Sequence, residues 1–521
     1  LVQRDGGEMT TASAIIRDAE TEPCLPWPRH VLPPAEWARM ATALADEPTL
    51  ALLALWADTG HTYALLLDET ARVPLLVSTT VEAGGYSALS PVRPVAAWFE
   101  RMVHDLWGHT AIGGTDQRPW LDHGHWPQTA PMALRVGPPG GRSEPPEFLS
   151  AGSDELDQIP LGPVHGGIAA ASHLRLTGRG ETIGRLEARL GYTHKGTLTL
   201  MRGKSPRAAA RFAARLSAES TVAHAIAFAR ATEAALGCEI PPRAVAWRAV
   251  MAELERVAVH LGDLGATADA AGFAVVAALC ASHAEAIHRA AQLAFGHRLM
   301  MDCVIPGGVA ADAAPGGPEA VGRALAGLAD GLPDLERLNN SAPLAGHLSG
   351  TGVITAAAVA RFAAGKTDLP PFSSSVPLRE EAAGGDNATR DNPSTSPERD
   401  TERTAPRSPS AGDAADRARA RLMEIAESIR LTRALLEAIP EGAVSAPLPP
   451  ASGEGIGFAE AARGDIWHWL RLDHGQIASV FMRDPAWAQW PLLELALAGQ
   501  QAEDLPLILA SFGLTSSGVD L

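Results

Sequence analysis

The amino-acid sequence predicts an α+β protein: a small N-terminal α+β domain, then a mainly α-helical domain with a small β-sheet at its start. Three observations predict this. A hairpin pattern sits between two amphipathic helical patterns in the first quarter of the chain. Long Ala- and Leu-rich helical patterns dominate the middle. Two stretches without periodicity, one rich in Gly and Pro and one in Pro, Ser and Thr, separate the blocks. At 521 residues the chain has room for two or three domains.

Residues 30–127 form the first unit. PPAEWARMATALADE opens on prolines, which suit a first helical turn, and repeats its apolar residues at helical spacing. TYALLLDETARVPLLVSTTVE reads as two strands joined by a charged turn. VAAWFERMVHDLWG is a second amphipathic helix, with Trp98, Phe99, Met102, Val103 and Leu106 on one side. Residues 128–155 read as a Gly/Pro-rich linker.

Residues 156–369 open on the strand-like HLRLTG and ETIGRLEARLG and continue as long helices. PPRAVAWRAVMAELERVAVHLGDLG begins on a Pro pair and keeps a period near 3.6 residues. The next helix, near 268–295, is apolar around much of its circumference, which predicts a place in the middle of a bundle. Residues 370–411 have the composition of a disordered insertion. Residues 412–521 complete the large domain with the helix ADRARARLMEIAESIRLTRALLEAI, the strand-like GIGFAEAARGDIWHWLRLD and a last helix pair.

Lys+Arg number 43 and Asp+Glu 60, a formal net charge of -17. That excludes nucleic acid as a main partner and polybasic docking to anionic lipid. The cysteines are Cys24, Cys238, Cys280 and Cys303. None lies in a C-x-x-C pair, so an intrinsic zinc or iron–sulfur site is not expected, and a reducing compartment is. No apolar run reaches the ~18–20 residues of a membrane span. Membrane association is therefore expected to come through partners. The first twenty residues lack the apolar core of a secretory signal, which predicts a cytoplasmic location.

Some side-chain groupings have an ordinary structural reading. Asp122, His123 and His125, with His104 or His109, carry metal-donor atoms. The D-H-x-H spacing is weak alone, and a loop packing the small domain on the large one is the preferred reading. Glu253, Arg256 and His260 share a helix face and read as an ion-paired stripe. Trp467, Trp469, Trp487 and Trp490 read as core and interface anchors.

Longer strings are more specific. PLGPVHGGIAAASHLRLTGRGETIGRLEARLGYTHKG, MAELERVAVHLGDLG, FGHRLMMDCVIPGGV and GFAEAARGDIWHWL follow in order from Pro160 onward. Together they resemble large subunits of energy-converting Ni–Fe hydrogenases of the formate hydrogenlyase type (group 4), and the homologous quinone-site subunit of respiratory complex I. The first domain, with AAWFERMVHDLWGHTAIGGTDQRPWLDHGHWP, resembles the small complex I subunit often fused in front of it.

The resemblance fails where the chemistry would be. The hydrogenase pattern for the first metal loop is R-x-C-G-x-C-x-x-x-H; here Arg215, Ser217, Ser220 and His224 stand in it. The second loop, D-P-C-x-x-C in the family, runs Gly513-Leu514-Thr515-Ser516-Ser517-Gly518, so Thr515 and Gly518 replace its cysteines. A glutamate of the family appears as Ala170. A Ni–Fe centre needs four soft thiolates, which Ser, Thr and Gly do not supply. The resemblance therefore implies no metal and no hydrogenase activity. On the complex I side, His165 in GPVHGG matches a quinone-headgroup histidine, whereas Lys204-Ser205-Pro206 stands where the family has a tyrosine.

The resemblance implies that His165, Tyr192, His194, Arg215, Ser217, Ser220, His224, Thr515 and Gly518 border one degenerate metal or quinone cleft. His165 and His224 are the candidates to touch a reacting group. The hydroxyl residues are expected to line an open polar pocket holding water. The implied role is a subunit of a membrane-associated assembly of the NADH-quinone oxidoreductase type, peripheral on the inner face of the cell membrane. It would dock an iron–sulfur small subunit carrying a 4Fe–4S cluster, beside membrane-arm subunits. No cofactor would bind the chain itself; quinone or NAD(H) would act at the level of the complex. The alternative is a non-catalytic scaffold coupling a soluble partner to an ion-translocating membrane subunit.

Overall fold

The computed structural model describes residues 11–135, 137, 147–165, 170–355 and 412–521. The expected insertion at 370–411 and part of the 128–155 linker lie outside these residues.

The first sheet has five strands: β1 (Glu20–Glu22), β2 (Arg29–Val31), β3 (Leu50–Ala57), β4 (His61–Asp68) and β5 (Val73–Thr80). Their order is β1-β2-β5-β4-β3, with the expected β4–β5 hairpin antiparallel at its centre. The sheet thus takes in strands upstream of residue 30. Helices α1 (Ala12–Arg17), α2 (Pro34–Ala43) and α3 (Ala96–Trp107) accompany it, and short strands β6 (Gly85–Ser87) and β7 (Thr110–Ile112) pair in parallel. Every residue of β3 is buried. A strand covered on both faces has no polar alternation, which fits its unbroken run Leu50–Ala57.

The large unit opens on an antiparallel sheet of β8 (Asp157–Leu161), β9 (His173–Arg179) and β10 (Thr182–Arg189). Helices α4 (Thr197–Met201), α5 (Pro206–Ala213), α6 (Thr221–Leu236), α7 (Pro242–Ala270) and α8 (Ala274–Phe295) follow. The two-stranded β11 (Val304–Ile305) and β12 (Gly308–Val309), then α9 (Gly317–Asn339) and α10 (Ala342–Leu348), precede α11 (Ala414–Glu437). The chain ends with the meander β13 (Gly453–Ala461), β14 (Gly464–Asp473) and β15 (Gln476–Arg483), then α12 (Ala486–Leu497) and α13 (Leu505–Phe512).

Two cores result. One joins the N-terminal sheet to the β13–β15 meander and the last helices; the other fills the bundle of α6, α7, α8, α9 and α11. Trp56 stacks on Phe481 at 5.1 Å, and Phe99 stacks on Trp487 at 4.5 Å. Arg29 pairs with Glu454, and Arg483 donates to the Leu53 carbonyl. The N-terminal unit therefore shares its core with the C-terminal segment. Trp467, Trp469, Trp487 and Trp490 are all buried there, as read from the sequence.

The helix expected in the bundle centre lies at its edge. In α8, Val275 is 70% and Leu293 62% exposed, and half of the buried residues are alanine. An Ala-rich helix carries so little side chain that its apolar character does not force it inside.

The strand β13 carries glycine at 453, 455 and 457, so one face of its first five residues has no side chains. Helix α6 lies on that face. A Cβ at Gly455 would come within 2.6 Å of the Ala235 nitrogen, and one at Gly457 would overlap the Ala231 nitrogen. This close approach presses α6, and with it His224, against the meander.

Candidate functional site

The former metal loops come together at the start of α6. Ser217 opens a short 3₁₀ turn, Ala218–Ser220, that runs directly into the helix. Ser217 Oγ donates to Glu219 Oε2 at 2.8 Å. Glu255, half-buried on α7, accepts from the Val222 and Ala223 N–H groups at 2.6 and 3.0 Å. It thereby accepts two of the N–H groups that the helix N-terminus leaves without partners. Burial is the main influence on Glu255 and raises its pKa to about 8.

One turn into α6, His224 is fully buried between two partners. Its Nε2 lies 3.0 Å from Asp484 Oδ2, and its Nδ1 lies 2.9 Å from His468 Nε2. Asp484 Oδ1 accepts the Ala486 N–H at 2.8 Å. Burial opposes the Asp484 charge, yet the His224 hydrogen bond and charge, the Ala486 N–H and Arg483 hold its pKa below the ordinary carboxylate value. Burial, with His224 adjacent, holds His468 well below the usual imidazole range.

The last loop closes over this group. Gly518 packs against Asp484: a Cβ built there falls 2.5 Å from Asp484 Cβ. Asp520 accepts from Gly191 N–H at 2.6 Å, Thr193 N–H at 3.0 Å and Thr193 Oγ1 at 2.5 Å. Ser516 Oγ donates to Asp520 at 3.2 Å and to the Ala171 carbonyl at 3.4 Å. The Thr515 carbonyl receives Trp490 Nε1. Lys195 Nζ donates to the Ser517 carbonyl, and the Lys195 and Thr197 N–H groups reach the Leu521 carbonyl.

The nine residues read from the sequence are not all in one cleft. Ser217, Ser220, His224, Thr515 and Gly518 lie in the two segments that meet around Asp484. His165 is joined to them indirectly: its Nε2 lies 3.0 Å from Ser172 Oγ, and the neighbouring Ala171 holds Ser516. His194 meets the last loop through Nδ1 and the Asp520 carbonyl at 2.6 Å and stacks on Trp126. Tyr192 is 39% exposed. Arg215 turns outward to Asp302, with both guanidinium bonds at 2.6 Å, because Asp302 offers a bidentate partner in water's reach.

The expected open pocket is replaced by a closed, hydrogen-bonded joint. Ser217, Ser220, Thr515 and Ser516 are at most 9% exposed. Protein carboxylates and carbonyls take the hydroxyl bonds of Ser217 and Ser516 described above. The cavity of about 600 Å³ lies on another face of α6, lined by Trp27, Ile226, Arg248, Arg256, Phe458 and Glu460 among others, and it holds none of the nine residues.

The Glu253–His260 stripe is ion-paired, as read. Glu253 accepts from Ser428 on α11, Arg256 pairs with Glu424 and Glu460, and His260 bonds Glu424 at 2.9 Å. The same seam continues in Asp263, which pairs with Arg463 and Arg421. Asp122 forms a turn by accepting the Gly124, His125 and Trp126 N–H groups. Among the described residues no set of three His, Cys, Asp or Glu side chains is placed to hold a metal.

Sequence reasoning missed Asp484, His468, Asp520 and Glu255. His468 was legible as a polar residue at an inward position of the GFAEAARGDIWHWL strand. The three carboxylates lie far along the chain from the groups they bind, so spacing carries no signal for them.

The family described as respiratory-chain NADH dehydrogenase, 49 kDa subunit, matches residues 270–451. Hydrogenase-4 component G of Escherichia coli K12 is 26% identical over 477 residues, covering 86% of this chain and 78% of that protein. Formate hydrogenlyase subunit 5 of the same strain is 25% identical over 481 residues, covering 86% and 79%. NADH-quinone oxidoreductase subunit 4 of Thermus thermophilus is 25% identical over 413 residues, covering 72% and 97%.

The chain is similar to large subunits of the hydrogenase and complex I type. A similar fold is seen in a chain of the membrane-bound sulfane sulfur reductase, an archaeal respiratory membrane complex. That chain is 20% identical, with a TM-score of 0.58, covering 70% of this chain and 99% of its own length. No helix among the described residues of this chain is long and apolar enough to cross a membrane.

Proposed function

We propose that this chain is a component of a membrane-associated oxidoreductase assembly of the complex I and hydrogenase type, and that it works without a Ni–Fe centre. In this reading it docks an iron–sulfur small subunit and sits peripherally on the inner face of the cell membrane beside membrane-arm subunits. Relatives from hydrogenases and from NADH-quinone oxidoreductases support the assembly type. The observation that carries the reading is the closed joint at the former metal loops. Gly518 rests on Asp484, Asp484 holds His224, and the four ligand positions are Ser217, Ser220, Thr515 and Gly518.

A tagged chain purified gently from its own cells tests this. Co-purification of a partner with a reducible 4Fe–4S electron-paramagnetic signal, with no nickel by elemental analysis, is the expected result. About one nickel per chain, or a chain that purifies alone from membranes and cytosol alike, would refute it.

One observation favours the second reading, a non-catalytic scaffold. His165 and His224 already spend ring nitrogens on Ser172, Asp484 and His468. A quinone headgroup needs a donor at each carbonyl and a proton source. Quinone reduction by the assembled complex that is unchanged in His165→Ala and His224→Ala, with partner binding intact, selects the scaffold.

A further inference from the structure

From residue 190 to residue 218 the sequence carries Lys195, Arg202, Lys204, Arg207, Arg211 and Arg215 and not one Asp or Glu, in a chain whose net charge is -17. The structure uses two of these cations itself. Lys195 donates to the Ser517 carbonyl, and Arg215 pairs with Asp302. Arg202, Lys204, Arg207 and Arg211 enter no ion pair among the described residues. The three arginines are exposed and Lys204 is half-buried.

We propose that Arg202, Lys204, Arg207 and Arg211, on α4–α5 and the turn between them, form a docking surface for an acidic face of a partner protein. The inference rests on the assembly reading above and names the surface and the chemistry by which the chain takes a partner.

The fold itself gains little from these charges. Helix α5 buries Pro206, Ala209, Ala210 and Ala213. Its outward side presents Arg207 and Arg211 at i, i+4 spacing, where like charges weaken a helix. Arg207 also stands in the first turn, where the helix dipole disfavours a cation.

The surface is nevertheless held in one shape. The Gly203 N–H donates to the Ile477 carbonyl at 2.8 Å, and the Ile477 N–H donates to the Lys204 carbonyl at 2.9 Å, so the α4–α5 turn is fastened to β15. Ser205 caps α5 by accepting the Ala208 N–H. Lys204 Nζ and the Arg211 guanidinium lie 5.8 and 5.3 Å from the centre of the same Phe212 ring, which gathers cations from both sides of the turn. Leu200, 48% exposed, adds an apolar contact two residues before Arg202. Cations fixed around an apolar residue form a prepared interface, with less side-chain freedom to lose on binding.

The chemistry favours a protein over a lipid surface. Three of the four residues are arginine, whose fork matches a carboxylate with two parallel bonds. The apolar side of α5 is already buried, so no amphipathic face is left to enter a bilayer. A net charge of -17 repels an anionic bilayer, whereas it turns an acidic partner toward this basic face.

The test uses the full chain, tagged and purified gently from its own cells. A zero-length carbodiimide joins an amine to a carboxylate in contact with it, so Lys204 reports on the surface. We expect a Lys204 cross-link to an Asp or Glu of a co-purifying subunit, identified by mass spectrometry. Recovery of that same subunit should fall as salt rises. It should fall at least about tenfold in the combined variant Arg202→Glu, Arg207→Glu, Arg211→Glu, and persist when the same three are changed to Lys. If the reversed variant folds poorly by circular dichroism, the wild-type cross-link and salt dependence decide the matter. A subunit recovered equally by a folded reversed variant, or cross-linked only away from Lys204, would overturn this proposal and leave the assembly reading standing. A chain that purifies alone would overturn both. Wild-type chain that sediments with vesicles of equal parts phosphatidylglycerol and phosphatidylcholine, and no longer does so after the reversal, would overturn it in favour of a membrane surface.

Discussion

Asp520 shows how much of the joint depends on one residue. Its buried carboxylate accepts from Gly191, Thr193 and Ser516, and so ties the last loop to the segment before α4. Replacing it by alanine leaves buried N–H groups without acceptors, so Asp520→Ala should cost about 3 kcal/mol, the upper range for charged hydrogen bonds. Urea unfolding measures this, and a loss under about 1 kcal/mol would mean the loop is held by packing instead. Arg215 is the opposite case. Its pair with Asp302 is 45% and 49% exposed, and exposed pairs contribute about 0–1 kcal/mol. Arg215→Ala should therefore leave both stability and the His224 ring signals in a nuclear magnetic resonance spectrum unchanged. A shift of those signals would place Arg215 in the site after all. At this scale the sequence reading named two segments, 217–224 and 515–518, that the fold brings together around Asp484. It went wrong on orientation, because a motif gives a residue's place in the chain and not the side of the backbone it faces.

Among the elements, the contact of α6 with β13 is the most sensitive. Glycine at 453, 455 and 457 lets the helix backbone lie on the strand, and the alternation is visible in the string GEGIGF. Gly457→Val would place a branched side chain against the Ala231 backbone and force the helix away. Overpacking of this kind costs about 1–3 kcal/mol and more against backbone. We expect a drop of several degrees in melting temperature together with a change in the His224 ring signals, since the helix carries that residue. A melting temperature equal to wild type would show that the helix can retreat freely. The β4–β5 hairpin, α3, α7 and α11 were all legible, because each has a sharp period and a marked start. The place of α8 was not, because an alanine stripe says nothing about how much a neighbour will cover.

Over the whole molecule, buried carboxylates shape the response to pH. Glu494, half-buried on α12, accepts the Ala188 N–H, and burial, joined by nearby Glu187, raises its pKa to about 8. An acid whose folded value lies above its unfolded value keeps its proton in the native state where the unfolded chain has lost it. Stability from this group is therefore complete below about pH 4 and declines as pH rises toward 8. Glu494→Gln should remove that decline: relative to wild type, the variant should gain melting temperature from pH 5 to about pH 8 and level off above it. Equal pH profiles for the two proteins would show that Glu494 titrates normally.

The sequence by itself determined the α+β class, the likeness to hydrogenase and complex I large subunits, and the absence of cysteine at positions 217, 220, 515 and 518. These follow from local periodicity and from residue identities at fixed spacing, which need no coordinates. Only the tertiary structure decided that the N-terminal sheet shares a core with the C-terminal meander and helices, and that the former metal loops close on each other instead of lining an open pocket. The physical reason is the same in both cases. Asp484 and Asp520 act on groups 260 and more than 320 positions away along the chain. A carboxylate at such separation finds its partner through the packing of α6, β14 and the last loop, and packing is a property of the folded chain.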